Sequence, residues 1–365
     1  MKKIGILSMQ QVPNYGSFLQ ALALKRIIES LGEYECKFIN IQPGRQIIDH
    51  ARKRQTIVAR SVSALSRCIK YGLPFLLQQK NQSHKYYDSF HTHEALLPVI
   101  QPNESVDVAI IGSDEVFNCC QPTPWGFSPQ LYGDIKNARK IASYAASFGH
   151  TTYEEISSFH LIPEITESLS NLSDISVRDI NSSEIITRLT GIKPIINIDP
   201  VLAYGYKDEL QSFLKPYDKP YVIVYSYPGR IQKDEAEAIK SYAKRNGLRL
   251  IAIMGYYHWC DMLIAPSSPL EVLQWFKFAD GIITDTFHGT IFSTITHRPF
   301  ATIIRDSNRN KLSHLLSTIG LNERQLATPA YLESILSQDT NYDTIEEHLD
   351  NLRSDTIEYL TKVLN

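Results

Sequence analysis

Short, nearly continuous apolar runs alternate with stretches whose apolar residues recur at helical spacing. Ile4–Ser8 predicts a strand and Gly16–Leu31 a helix. Val106–Ile111, Ile141–Ala146, Ile175–Val177 and Ile195–Ile198 predict further buried strands, with helices over Thr152–Leu169 and Asn181–Leu189. Strands that are apolar on both faces, separated by helices, predict a parallel sheet covered on both sides.

The pattern breaks at Leu214-Lys215-Pro216-Tyr217-Asp218-Lys219-Pro220, where two prolines among polar residues suit a linker. A second alternation follows. Tyr221–Tyr225, Arg249–Met254, Gly281–Thr284 and Phe300–Ile304 predict strands, and Gln232–Arg245 predicts a helix. Ser268-Pro269-Leu270-Glu271 predicts a capping box at the next helix start, and another helix begins near Phe287. The expected class is α/β, with two Rossmann-like domains facing across a cleft. The expected units are residues 1–214, residues 215–342, and a polar-faced helix over 343–365 that could cross back to the first domain. In open α/β sheets ligands bind beyond the carboxyl ends of the strands, so the loops after strands are where chemistry is expected.

Composition narrows the function. A formal net charge of -2 is not that of a nucleic-acid-binding chain. Five cysteines, with only Cys119 and Cys120 close together, support neither a disulfide framework nor a CxxC metal site, and a reducing compartment fits. The N-terminal apolar run is too short for a secretory signal, and no run approaches membrane-spanning length, so a cytoplasmic location is expected. From Arg45 to Lys85 there are nine Lys or Arg residues and one acid, Asp49. There Val58, Val62, Leu65 and Ile69 share one helical face, opposite Lys53, Arg60 and Arg67. This basic insertion, about 45–90, predicts either a domain-packed helix or a peripheral contact with the inner face of a membrane.

Thr284-Asp285-Thr286-Phe287-His288-Gly289-Thr290 is the strongest chemical candidate, because it joins an apolar strand to an apolar helix. Free N–H groups at a helix start attract anions. Thr286 and Thr290 offer hydroxyls, Gly289 offers close backbone approach, and His288 can bind an anion or move a proton near neutral pH. The turn Asn14-Tyr15-Gly16-Ser17 after the first strand is a second candidate, with Ser17 as N-cap and Gln20 one turn further on. Gly112-Ser113-Asp114-Glu115-Val116-Phe117-Asn118, at another strand end, suits sugar hydroxyls. Arg178 could clamp a carboxylate or phosphate, or simply pair with Asp174 or Asp179. Arg305 and Arg309 could serve an anion or face solvent. No GxGxxG, Walker, GxSxG or HExxH motif occurs, and no metal site or cofactor is expected.

In their order along the chain these segments resemble the polysaccharide pyruvyl transferase family. The resemblance includes Leu19-Gln20-Ala21, Tyr144-Ala145-Ala146-Ser147-Phe148-Gly149, Ser176-Val177-Arg178, Asp199-Pro200, Lys311–Leu316 and Gly320–Arg324. It implies a fold like that of GT-B glycosyltransferases. It also implies transfer of pyruvate from phosphoenolpyruvate to two hydroxyls of a sugar, as a cyclic ketal on a surface polysaccharide or its lipid-linked precursor. His288 and Arg178 would be the catalytic pair, with Asp285, Thr286, Phe287, Gly289, Thr290 and Arg305 on the donor side. Asn14, Tyr15, Gly16, Gln20, Ser113, Asp114, Asn118 and Ser147 would line the acceptor side. Glu115 and Phe117 stand where the family often has Gln and Trp, Thr286 where it often has Ser, and Val201 where it often has Thr. Two other readings are open: a glycosyltransferase using a nucleotide sugar, and a non-catalytic binder of glycan or a partner.

Overall fold

The computed structural model describes residues 1–47, 66, 68–101, 104–120 and 123–365. The first domain holds a six-stranded parallel sheet in the order β2-β1-β3-β4-β5-β6. Its strands are β1 (Lys2–Leu7), β2 (Tyr34–Phe38), β3 (Val106–Asp114), β4 (Ala138–Ala146), β5 (Ser176–Val177) and β6 (Ile195–Ile196). The second holds a five-stranded parallel sheet in the order β11-β10-β7-β8-β9. These are β7 (Tyr221–Tyr225), β8 (Arg249–Ile253), β9 (Met262–Ile264), β10 (Gly281–Thr284) and β11 (Phe300–Thr302). The expected pair of Rossmann-like domains facing across a cleft is what the chain forms.

The apolar runs explain the strand order. All five residues of β7 and all four of β10 are buried, as central strands covered on both faces must be. Strand order reverses beside β1, which pairs with β2 on one side and β3 on the other. It reverses again beside β7, between β8 and β10. Such switch points leave a crevice at the carboxyl ends of the strands, and here the two crevices face each other.

Several local expectations fail for identifiable reasons. The helix expected over 152–169 is two, Tyr153–Ser158 and Ile162–Leu169, because His160 turns left-handed between them (φ 56°). β6 is an edge strand with Ile195 and Ile196 exposed, not a buried one. Glu271 opens its helix, but its carboxylate accepts from Ser267 N at 2.6 Å, while Ser268 Oγ accepts from Leu270 N. The helix cap is therefore Leu270, two residues later than the Ser268 box predicts, and it has no side-chain capping hydrogen bond. In the basic insertion, Lys53, Val58, Arg60, Val62, Leu65 and Arg67 lie outside the described residues. Ile69 is exposed, as are Leu73 and Leu77 on the following helix, Leu73–His91.

One apolar cluster runs through both domains, from Ile4 and Ile6 through the first helix, Tyr15–Ser30, and Leu202 to Ile223 and Phe292. The last helix, Tyr342–Leu364, straps them together. At its start Tyr342 Oη donates to Arg298 O at 2.7 Å, and near its end Tyr359 Oη donates to Ser143 O at 2.6 Å. Leu360, wholly buried, anchors this strap. Leu360→Ala is expected to lower stability by about 2–5 kcal/mol, read as a lower urea midpoint with both domains unfolding together. Retention of the wild-type midpoint would show that the strap carries no load.

Candidate functional site

The two crevices form one narrow cavity of about 130 Å³. The second domain contributes Asp285, Thr286, Phe287 and His288, at the junction of β10 with the helix Phe287–Ile295. Thr286 caps that helix, its Oγ1 accepting from Gly289 N at 2.9 Å. The N–H groups of Phe287 and His288 stand in the first turn, where no intrahelical acceptor exists, and the helix dipole adds positive potential.

The first domain contributes Asn14, Ser17, Asp114, Glu115 and Arg178. Asn14, not Ser17, caps the first helix, its Oδ1 accepting from Gly16 N at 2.8 Å. Ser17 Oγ donates instead to Asp114 at 2.7 Å. Arg178 is buried, and its partners are neither Asp174 nor Asp179. Nη1 donates to Asp199 at 3.0 Å and Nη2 to Asp114 at 3.2 Å. Burial alone would make the guanidinium easier to deprotonate, but these two carboxylates keep it charged. The Phe287 ring covers it, 4.3 Å from centroid to guanidinium carbon.

His288 crosses to the same cluster. Its Nε2 stands 3.6 Å from Asp199 Oδ2, and its side chain is 11% exposed. Burial would raise the Asp199 carboxyl, but contacts with His288 and Arg178 hold it below the ordinary carboxylate range. Gly16 matters here in an unforeseen way. A Cβ at Gly16 would stand 2.2 Å from His288 Nδ1, so the glycine makes room for the imidazole rather than for a ligand.

Two cations completing the cavity were not singled out by the sequence pattern. Lys311 Nζ reaches across to Glu115 Oε1 at 2.6 Å. Burial pushes the Glu115 carboxyl up, but Lys311 outweighs it and brings it down to about 2. Arg230, in the turn after β7, places Nε 2.7 Å from Asp285 Oδ2. Burial nevertheless pushes Asp285 above the ordinary carboxylate range. The strand-end position of Arg230 was a usable signal; the partnership of Lys311 with Glu115 had none in the sequence. Tyr227 Oη, from the same turn as Arg230, accepts from Asn14 Nδ2 at 3.0 Å and closes one end.

Other expected site residues are scaffolding. Arg305 is held bidentately by Glu235 at 2.7 and 2.6 Å and donates to Arg230 O at 2.9 Å, so it braces the Arg230 turn. Gly289 packs where a Cβ would meet Thr284 Oγ1 at 2.2 Å, and Thr290 is wholly buried, donating to Thr286 O. Tyr15 is a core residue packed edge-on to Tyr86 at 5.1 Å. Gln20 Nε2 donates to Ser8 Oγ at 2.7 Å, and Ser113 Oγ donates to Asp199 at 3.3 Å. Ser147 Oγ donates to Asp179 at 2.6 Å, and Asn118 Nδ2 to Glu115 at 2.8 Å. All four are buried, so of the expected acceptor residues only Asn14 and Asp114 line the cavity. Among the described residues no cluster of His, Cys, Asp or Glu could hold a metal ion, and no helix is long and apolar enough to cross a membrane.

Comparison with known proteins adds a family. The family model described as polysaccharide pyruvyl transferase matches residues 14–307. No curated protein sequence matches. Among solved structures, the UDP-GlcNAc 2-epimerase of Neisseria meningitidis bound to UDP-GlcNAc is 10% identical, with a TM-score of 0.49 over 100% of this chain and 99% of that one. Arabidopsis thaliana UGT89C1 complexed with quercetin is 10% identical, with a TM-score of 0.48 over 100% and 99%. The E. coli heptosyltransferase WaaC is 16% identical, with a TM-score of 0.35 over 86% and 96%. Likeness at this level says nothing about substrate.

The Lys311–Glu115 pair makes a prediction of its own. A depressed carboxylate stabilises the fold above its unfolded pKa of about 4.3, and that stability is lost as pH falls through about 2. Lys311→Met leaves a buried carboxylate unpaired and is expected to cost about 3–5 kcal/mol. Its acid-unfolding midpoint should move to higher pH, and an unmoved midpoint would refute the pairing.

Proposed function

The chain belongs to the polysaccharide pyruvyl transferase family, and we propose that it transfers pyruvate from phosphoenolpyruvate to two hydroxyls of a sugar. The acceptor is a surface polysaccharide or its lipid-linked precursor. The observation that carries this reading is the convergence of His288, Arg178, Arg230 and Lys311 on one helix N-terminus. A donor with both a phosphate and a carboxylate needs such a set.

Each fixed cation already meets a carboxylate of the protein, so the donor must compete for it. Lys311 and the free N–H groups of the His288 helix suit the phosphate. Arg230 suits the donor carboxylate, because its partner Asp285 is the carboxyl that burial pushes towards the neutral form. Arg178, locked between two acids, acts by adding positive potential and by positioning Asp114.

The reaction forms two C–O bonds. One acceptor hydroxyl adds to C2 of the donor while a proton reaches C3, turning the methylene into a methyl. The second hydroxyl then displaces phosphate from C2. Of the two hydroxyl protons, one ends on the methyl and one on the released phosphate. His288 is the group that relays a proton or supports the departing phosphate, with Asp199 at 3.6 Å to steady it when charged.

Two measurements test this reading. Thermal shift should show stabilisation by phosphoenolpyruvate and none by UDP- or GDP-sugars; the reverse would make the chain a glycosyltransferase. His288→Ala should reduce acceptor-dependent phosphate release by about 10²–10⁴-fold with the fold intact. Undiminished turnover would remove His288 from the mechanism.

A further inference from the structure

A second cavity, of about 600 Å³, adjoins the first on the first domain. The wall between them is the turn Val12-Pro13-Asn14, and Val12 lines both. That turn is rigid. Val12 N donates to Met9 O at 3.0 Å, and Asn14 N to Val12 O at 2.7 Å. Tyr86 Oη, from the helix Leu73–His91, donates to Pro13 O at 2.5 Å. The two cavities therefore lie on either side of one short turn, with Val12 lining both.

The lining differs in kind from that of the catalytic cavity. Among the described residues the lining contains no Lys or Arg, so these offer no fixed cation to a phosphate, a diphosphate or a nucleotide. It offers instead aromatic faces and planar amides. The Tyr87 ring is 51% exposed, next to the buried Phe90. Gln11 Nε2 donates to Asn40 Oδ1 at 3.0 Å, which leaves the Gln11 carbonyl and the Asn40 amide N–H groups available. At the far side His91 Nδ1 meets Glu94 Oε1 at 2.8 Å, both exposed. A pyranose presents an apolar ring face and a rim of neutral hydroxyls. An aromatic ring beside amides and an imidazole–carboxylate pair complements both features.

Of the residues expected to grip the acceptor, Tyr15, Gln20, Ser113, Asn118 and Ser147 are buried, and only Asn14 and Asp114 line the catalytic cavity. The neighbouring cavity supplies the missing surface. Resting on the pyruvyl-transfer reading, we infer that the cavity bounded by Gln11, Asn40, Tyr87, Phe90, His91 and Glu94 is a neutral-sugar subsite. It holds the units of the acceptor chain next to the one that receives pyruvate. The chain thus selects an oligosaccharide over a single sugar.

The experiment compares methyl glycosides with linear tetrasaccharides of glucose, galactose, mannose and N-acetylglucosamine, using full-length protein and phosphoenolpyruvate. Wild type should prefer a tetrasaccharide to its methyl glycoside. Tyr87→Ala and Asn40→Ala should each raise KM for that tetrasaccharide by about tenfold. KM for phosphoenolpyruvate and kcat/KM for the methyl glycoside should not change. Equal use of both acceptors by wild type, or an unaltered preference in both variants, overturns the subsite. If no acceptor supports turnover, the pyruvyl-transfer reading fails separately, and saturation-transfer NMR with the tetrasaccharides decides the subsite. Transfer that is present in wild type and weakened in the variants upholds it. Transfer that is absent, equal in the variants, or seen for farnesyl phosphate instead overturns it.

Discussion

The buried charge of Arg178 is the constraint on which the site depends. A guanidinium out of water is tolerable only with partners on its donors, and removing one partner of such a group costs several kcal/mol. Asp114 and Asp199 supply those partners from within the first domain, and Phe287 supplies the covering ring from the second. His288 then shares Asp199 with Arg178. The candidate site is thus not a property of either domain alone. It exists because the common apolar cluster and the last helix hold the second domain over the charge network of the first.

That network also constrains any anion that enters. With Lys311 on Glu115, Arg230 on Asp285 and Arg178 on two acids, each described Lys or Arg of the cavity has a counter-charge. On the proposed reading, the donor exchanges one carboxylate partner for another, so its affinity depends on how readily the protein's own acids give way. Glu115, held at about 2, gives way least readily to a proton; Asp285, raised by burial, gives way most readily. Arg305 shows the same pairing with a different outcome. Glu235 takes it bidentately and the Arg230 carbonyl takes its remaining reach, so it braces the turn that presents Arg230.

Much of the architecture was legible along the chain. Gly281–Thr284 and Tyr221–Tyr225 form strands at the predicted bounds, because strands covered on both faces must be apolar throughout. The His288 junction was legible for a related reason: an apolar strand, a threonine cap and an apolar helix start are local signals. Where local signals compete, the reading failed. Ser17 and Asn14 both suit a cap, and Ser17 lost because Asp114 offers its hydroxyl a partner from another strand. Gly289 suggests room for a ligand, yet it accommodates a neighbouring strand, and Gly16, part of a tight turn, accommodates His288.

By itself, then, the sequence determined the two parallel sheets, the helix start carrying His288 and the order of segments that marks the family, because each depends on residues near one another in the chain. Only the tertiary structure decided which charges meet. Asp199 serving both Arg178 and His288, Glu115 holding Lys311, Asp285 holding Arg230, and the withdrawal of Gln20, Ser113 and Ser147 into the core all follow from loops brought together across the cleft. A side chain's charge and hydrogen-bonding capacity are written in its identity. Its partner is set by where the fold brings the other loops.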